Sequence, residues 1–378
     1  MKKYDYSVEK ATDSLSEAIK ISTVSYSDTS KVDYDKYEEF LEFLDSRYEN
    51  IANTCEKTIV NEYAPVYLWS GESQDLPILL IAHYDVVPID NPDNWKYGPF
   101  SGYIIDGEIW GRGAIDDKHS VIGLMEAVDY LISTGRKPKR DIYLAFGFDE
   151  ETGGSEGATK VAEYFSNQGI RFECILDEGG MISDGVLDGI DDLIALVGLA
   201  EKSTNHIKIT TTGKGGHGSM PPKNTAIGKL AKIISRVEDN PMPAKLTAPV
   251  EGMLKIMGPK LGLPLNYDNL YGHFPMIEPI LFQNDMTNSL IRTTIAFTVT
   301  GGGTAENVLP QSAWANANVR IMPGDTLEDI INHMKNLNPD IDFDVEVMLK
   351  YFPSPITPTD TESYENLIKA IREVHNDI

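Results

Sequence analysis

The chain has 378 residues, 41% of them apolar, and a formal net charge of −25. That length suits a large α/β domain plus a second domain, and the apolar share argues against wholesale disorder. The acidic excess argues against nucleic acid, whose phosphates it would repel, and no apolar run reaches the roughly 18 residues of a membrane span.

Apolar residues at helical spacing predict helices over 7–21 and 35–55. Residues 76–82 form a continuous apolar run, the pattern of a strand covered on both faces, and His83-Tyr84-Asp85 follow at its C-terminal end. A hairpin is predicted over 102–110, with Asp106-Gly107 as its turn. Next come a helix over 120–132 and a buried strand over 141–148 that ends at Glu150-Glu151. A helix over 156–165 and a strand over 172–176, ending at Asp177-Glu178, complete the series. Alternating strands and helices predict an α/β fold, a mostly parallel sheet with helices on both faces. Ligands gather at the carboxyl ends of such strands, where His83, Asp85, Glu150, Glu151 and Asp177 all fall.

From about residue 199 the pattern changes. Strands are predicted over 206–212, 291–300 and 314–321, and helices over 227–237 and 326–336, with a glycine-rich turn around His217. The expected division is a catalytic domain over 1–198, an inserted α+β lid or dimerisation domain over 199–350, and the start of a return to the catalytic domain over 351–378. Two cysteines, Cys55 and Cys174, make no secreted-type framework, and the first residues carry no apolar signal core, so a cytoplasmic location is expected.

His83 and Asp85 alternate with Tyr84, so on a strand they share a side, where a carboxylate can orient a ligating imidazole. Asp116-Asp117 follow a glycine-rich turn and open a helix; they read either as helix-capping acids or as a site that bridges two cations. Glu150-Glu151 read either as helix-start acids or as one metal ligand beside a general base; on a continued strand they point to opposite sides. His217 alone reads as a surface-loop residue, and Arg320 alone as half of a surface ion pair.

Together these segments resemble the dinuclear-zinc aminoacylase and carboxypeptidase family. The resemblance is carried by His83-Tyr84-Asp85-Val86-Val87-Pro88, residues 110–118 around Asp116-Asp117-Lys118, Asp149-Glu150-Glu151, and Leu176-Asp177-Glu178-Gly179-Gly180. The nearest branch looks like the Gly-Xaa carboxypeptidases and N-acyl-amino-acid synthase/hydrolases. The resemblance implies a zinc-exopeptidase fold and cleavage of amide bonds next to a free carboxylate, in small peptides or N-acyl amino acids. It implies two zinc ions: His83 and Asp177 on one, Glu151 on the other, Asp116 bridging. Asp85 supports His83, Glu150 is the general base, and the Asp116-Asp117 peptide is cis. His217, Asn307 and Arg320 are implied to bind substrate, and the inserted domain to support a homodimer. The family's last zinc ligand, a histidine in a Gly-Thr-Asp-Ser-Arg-His-like segment, has no match, and His375 does not supply it. A chain that stops before the closing part of the catalytic domain, with an incomplete second zinc site and impaired activity, is therefore expected. The alternative is a non-catalytic relative that binds an amino-acid-like ligand or a partner.

Overall fold

The computed structural model describes residues 6–185, 192–375 and 378. They form two compact units, residues 1–179 and 180–378.

The first unit opens with helix α1 (Val8–Lys20), whose Ser7 cap accepts from Lys10 N–H and whose inner face buries Ala18 and Ile19. The predicted 35–55 helix is two: α2 (Tyr34–Arg47) and α3 (Glu49–Thr54), parted at Tyr48, which is fully buried in non-helical backbone. An antiparallel ribbon, β1 (Glu56–Val60) and β2 (Ala64–Trp69), follows; the apolar pattern did not reveal it because β1 is largely exposed. Then come β3 (Ile78–His83), the hairpin β4 (Tyr103–Ile105) and β5 (Glu108–Trp110), α4 (Lys118–Ser133), β6 (Ile142–Gly147), α5 (Ala158–Asn167) and β7 (Cys174–Leu176).

The sheet order is β1-β2-β6-β3-β7, with β6, β3 and β7 parallel and the β1–β2 ribbon antiparallel along one edge. The α/β expectation holds, and the parallel strands are the ones that position the site. In the β3–β6 register His83 lies opposite Gly147, so the chain leaves both strands at one level. Buried Leu79, Ala82, Leu144, Phe146 and Phe165 lie in the core beneath. A fully buried side chain of the size of Phe146 contributes roughly 1.5–3 kcal/mol by leaving water.

In the second unit the described elements are β8 (Met181–Ser183), β9 (Ile194–Leu196), β10 (Ser203–Thr212), β11 (Gly216–His217) and α6 (Ala226–Asp239), followed by α7 (Ala248–Lys260), α8 (Leu270–Leu281), α9 (Asp285–Leu290), β12 (Thr294–Gly302), β13 (Val308–Leu309), β14 (Ser312–Ile321), α10 (Leu327–Leu337), β15 (Asp344–Leu349) and α11 (Glu362–Val374). An antiparallel sheet, β12-β14-β10-β15, packs against α6 and α10 through Ile207, Ile209, Leu230, Ile233 and Met334. Alanines 313, 315 and 317 keep the β14 face flat beneath α6. The helices between residues 248 and 290 escaped the pattern because Pro259, Pro275 and Pro279 sit inside them and read as breakers.

Candidate metal centre

Four turns of the first unit meet at the carboxyl ends of β3, β6 and β7. His83 ends β3 and is 2% exposed. Its Nδ1 faces back toward Asp85, 3.1 Å from the backbone oxygen and 3.3 Å from Oδ1. Its Nε2 faces outward, 3.0 Å from Asp116 Oδ1, 3.4 Å from Glu178 Oε2 and 3.8 Å from Glu150 Oε2. One imidazole thus has a carboxylate behind it and three in front.

Asp85 is fully buried and also fastens the next turn. Its two oxygens accept from Glu150 N–H at 3.1 Å and Glu151 N–H at 3.2 Å. Glu150 and Glu151 lie in a short 3-10 turn rather than on a continued strand, so side-to-side alternation is not what separates them. The Asp116-Asp117 peptide is cis. Asp117 is buried, its Oδ2 accepts from His83 N–H at 3.3 Å, and the exposed His119 ring lies 3.3 Å from its Oδ1. Gly113, at φ +85°, lets this turn approach β3; a Cβ there would lie 2.8 Å from Val86 Cγ1.

Burial alone would lower the His83 pKa, but hydrogen bonds and charge from Asp85 and Glu178 prevail and push it up to about 12. Burial, with the charges of Glu178, Asp85 and Glu151, pushes Glu150 up to about 7 against the pull of His83. Burial, and then Asp116, raise Glu151. The hydrogen bond from His83 lowers Glu178. The cluster is short of positive charge, and Asp85 and Glu178 favour the charged form of His83.

The donor set fits a divalent cation. Nε2 of His83 and carboxylate oxygens of Asp116 and Glu178 lie within 4.8 Å of one another, and one nitrogen with two hard oxygens suits a zinc-type ion. A cation there would displace the His83 proton and satisfy the excess acid. The Asp85–His83 contact is the outer carboxylate that fixes a ligating imidazole.

The expected residues divide between the units. His83, Asp85, Asp116, Glu150 and Glu151 gather as the sequence suggests. Asp177 is not in the three-residue donor group: its Oδ1 accepts from Glu178 N–H at 2.9 Å, and Glu178 reaches His83 instead. Both members of that pair are carboxylates, so side-chain chemistry carries no signal for which turns inward. Lys118, fully buried beside Asp117, was also passed over, although an Asp-Asp-Lys run opening a helix could have flagged it.

In the second unit, His217 on β11 is exposed, with Nδ1 2.8 Å from Ser219 Oγ. Asn307 is its neighbour, its backbone oxygen accepting from Gly218 N–H at 2.7 Å. Arg320 is not with them. It lies toward the opposite end of β14, opposite Thr204 and Thr294 in register, with Nη1 2.5 Å from Thr204 Oγ1. Among the described residues no helix is long and apolar enough to cross a membrane.

Residues 79–378 match the family model of peptidase family M20/M25/M40. The chain is 35% identical over 373 residues to the N-fatty-acyl-amino acid synthase/hydrolase of Xenopus tropicalis, covering 97% of this chain and 72% of that protein. It is 38% identical over 374 residues to the probable carboxypeptidase S-like 2 of Dictyostelium discoideum, covering 96% and 72%. Among solved structures, the M20 family metallo-carboxypeptidase Sso-CP2 of Sulfolobus solfataricus superposes with a TM-score of 0.65 at 17% identity, covering 97% of this chain and 84% of that one. Human carnosine dipeptidase 1 gives 0.60 at 14% identity, covering 97% and 83%. The fold, the motifs in order and the extent of the match agree: this chain belongs to peptidase family M20/M25/M40 and is a hydrolytic enzyme of the metallopeptidase and amidohydrolase type.

Proposed function

We propose that this chain hydrolyses the amide bond next to a free carboxylate in N-acyl amino acids or small peptides, with zinc as its metal. The observation that carries the reading is His83, backed by Asp85 and facing Asp116, Glu178 and Glu150 within 3.8 Å. The names of the relatives, a fatty-acyl-amino acid synthase/hydrolase and a carboxypeptidase, agree with that substrate class.

His83, Asp116 and Glu178 would hold the first cation, and Asp116 with Glu151 would contribute to a second; Asp177, named for the first on family resemblance, is the rival of Glu178 there. Bound metal supplies polarisation of the scissile carbonyl and a water of lowered pKa. Glu150, beside the ligand cluster, would serve as the base that accepts a proton from the attacking water and returns it to the leaving amine. Asp85 holds the His83 ring and the Glu150–Glu151 turn in one geometry. On the family resemblance, His217 is assigned to a substrate carbonyl, and Asn307 with Arg320, an exposed guanidinium, to a substrate carboxylate.

The domain reading stays as 1–198 catalytic, 199–350 inserted and able to support a homodimer, and 351–378 returning. Two unpaired cysteines fit a cytoplasmic location. The test is turnover by the zinc-loaded chain of N-acyl amino acids and dipeptides, each with a C-amidated counterpart. Turnover of the free acids only, lost in Glu150→Gln with zinc content unchanged, supports the reading. Equal turnover of the amides, or activity surviving Glu150→Gln, overturns it.

A further inference from the structure

Lys118 follows the cis Asp116-Asp117 pair and is 0% exposed. A buried ammonium carries a large desolvation cost. Its partners are backbone oxygens rather than carboxylates: Nζ donates to Ala18 O at 2.9 Å and to Ile21 O, and lies 5.1 Å over the Phe40 ring. Ala18 and Ile21 are the last turn and the C-cap of α1, where unpaired carbonyls and the negative end of the helix dipole welcome a cation. Lys118 N–H also donates to Gly113 O at 3.1 Å, closing the ligand turn on itself.

The same N-terminal segment reaches the other ligand-bearing strand end. Val24 bridges Val86 in parallel, with Val86 N–H on Thr23 O at 3.0 Å and Ser25 N–H on Val86 O at 3.1 Å. The buried Thr23 hydroxyl donates to Tyr84 O at 2.5 Å, between His83 and Asp85. Ser16 Oγ donates to Gly102 O at 2.6 Å and so holds the chain entering the β4–β5 hairpin. A single strap, residues 16–25, therefore grips the His83–Asp85 end on one side and the Asp116–Asp117 turn on the other. Without it, the two turns could part while each kept its own strand or helix.

We propose that residues 16–25 are a strap that sets the spacing between His83 and Asp116, and that Lys118 is the positioning residue locking the strap to the metal-ligand turn. The inference rests on the metal reading above. Lys118 touches no ligand atom; its effect on chemistry passes through the separation of the two ligands, 3.0 Å between His83 Nε2 and Asp116 Oδ1.

The test compares the full chain with Lys118→Met, Thr23→Val and Thr23→Ser. The readouts are zinc affinity by chelator competition, the visible spectrum of the cobalt-substituted protein, kcat and KM, and the melting temperature of the metal-free chain. Expected are zinc binding about 10–100-fold weaker in Lys118→Met, the scale seen when an outer support of a metal site is lost, an altered cobalt spectrum, and a fall in kcat with KM held. Thr23→Val shifts the same readouts less, and Thr23→Ser, which keeps the hydroxyl, restores them. Variants that lower only the melting temperature, with affinity, spectrum and kcat at parent values, overturn the proposal. If Lys118→Met does not fold, Thr23→Val against Thr23→Ser decides on the same readouts. A parent chain that binds neither zinc nor cobalt overturns the metal reading and this inference with it, whereas a parent that binds and variants that match it overturn this inference alone.

Discussion

His83 and His217 carry the same ring in opposite settings. His83 is buried at a strand end with four carboxylates around it, and two of them, Asp85 and Glu178, push its pKa up to about 12 against burial. His217 is exposed on a two-residue strand, and its nearest polar partner is the neutral Ser219 hydroxyl. The first setting is rigid, anionic and hungry for a cation. The second is open to solvent, with a hydroxyl rather than an acid as its hydrogen-bond partner. A histidine's role follows from the charges its fold sets around it.

Removing each ring should break the comparison most sharply. His83→Ala leaves two carboxylates without a nitrogen donor, so zinc affinity should collapse and activity with it, as equilibrium dialysis and turnover would record. His217→Ala should keep full zinc content. Its kcat/KM should fall about tenfold, the scale of one lost hydrogen bond. Equal zinc loss in both variants would erase the distinction.

Asp85→Asn sharpens the first setting. The ring keeps its position but loses the negative charge behind it, and the Glu150–Glu151 turn trades a carboxylate anchor for an amide. Zinc affinity should drop about 10–100-fold, less than in His83→Ala. Chelator competition separates the three levels.

The two regions also differ in how far the sequence discloses them. His83 was legible because the apolar run fixes its depth at the end of β3, and Asp85 because it is the acid two residues beyond. Asp116, Glu150 and Glu151 were legible as acids at element ends. The inward turn of Glu178 was not, because Asp177 beside it is a carboxylate too. Lys118 was hidden for a different reason: its partners are carbonyls of α1, about a hundred residues away, and every residue has a carbonyl. In the second unit, strands β10 and β14 follow from alternation. The separation of Arg320 from His217 does not, because it is set by register along β14.

The smallest expected effect tests how the second unit treats a part-buried charge. Lys202 is part-buried, its ammonium donates to Arg292 O at 2.8 Å, and Arg320 is close enough to repel it. Burial first, and Arg320 second, lower its pKa to about 8 from 10.5. The folded chain therefore binds fewer protons here than the unfolded chain between those values, so this group's contribution to stability rises with pH through that window and is lost as pH falls through about 8. Urea unfolding at pH 7.5, 9 and 10 should show Lys202→Met gaining on the parent at the lowest pH and losing that advantage toward the highest. Arg320→Met should narrow the window by removing the repulsion, and a bound carboxylate at Arg320 should do the same, which ties this titration to the proposed anion site. A difference between parent and Lys202→Met that does not change with pH would show that the lysine titrates at its ordinary value, and that the second unit leaves its cations as solvated as its histidine.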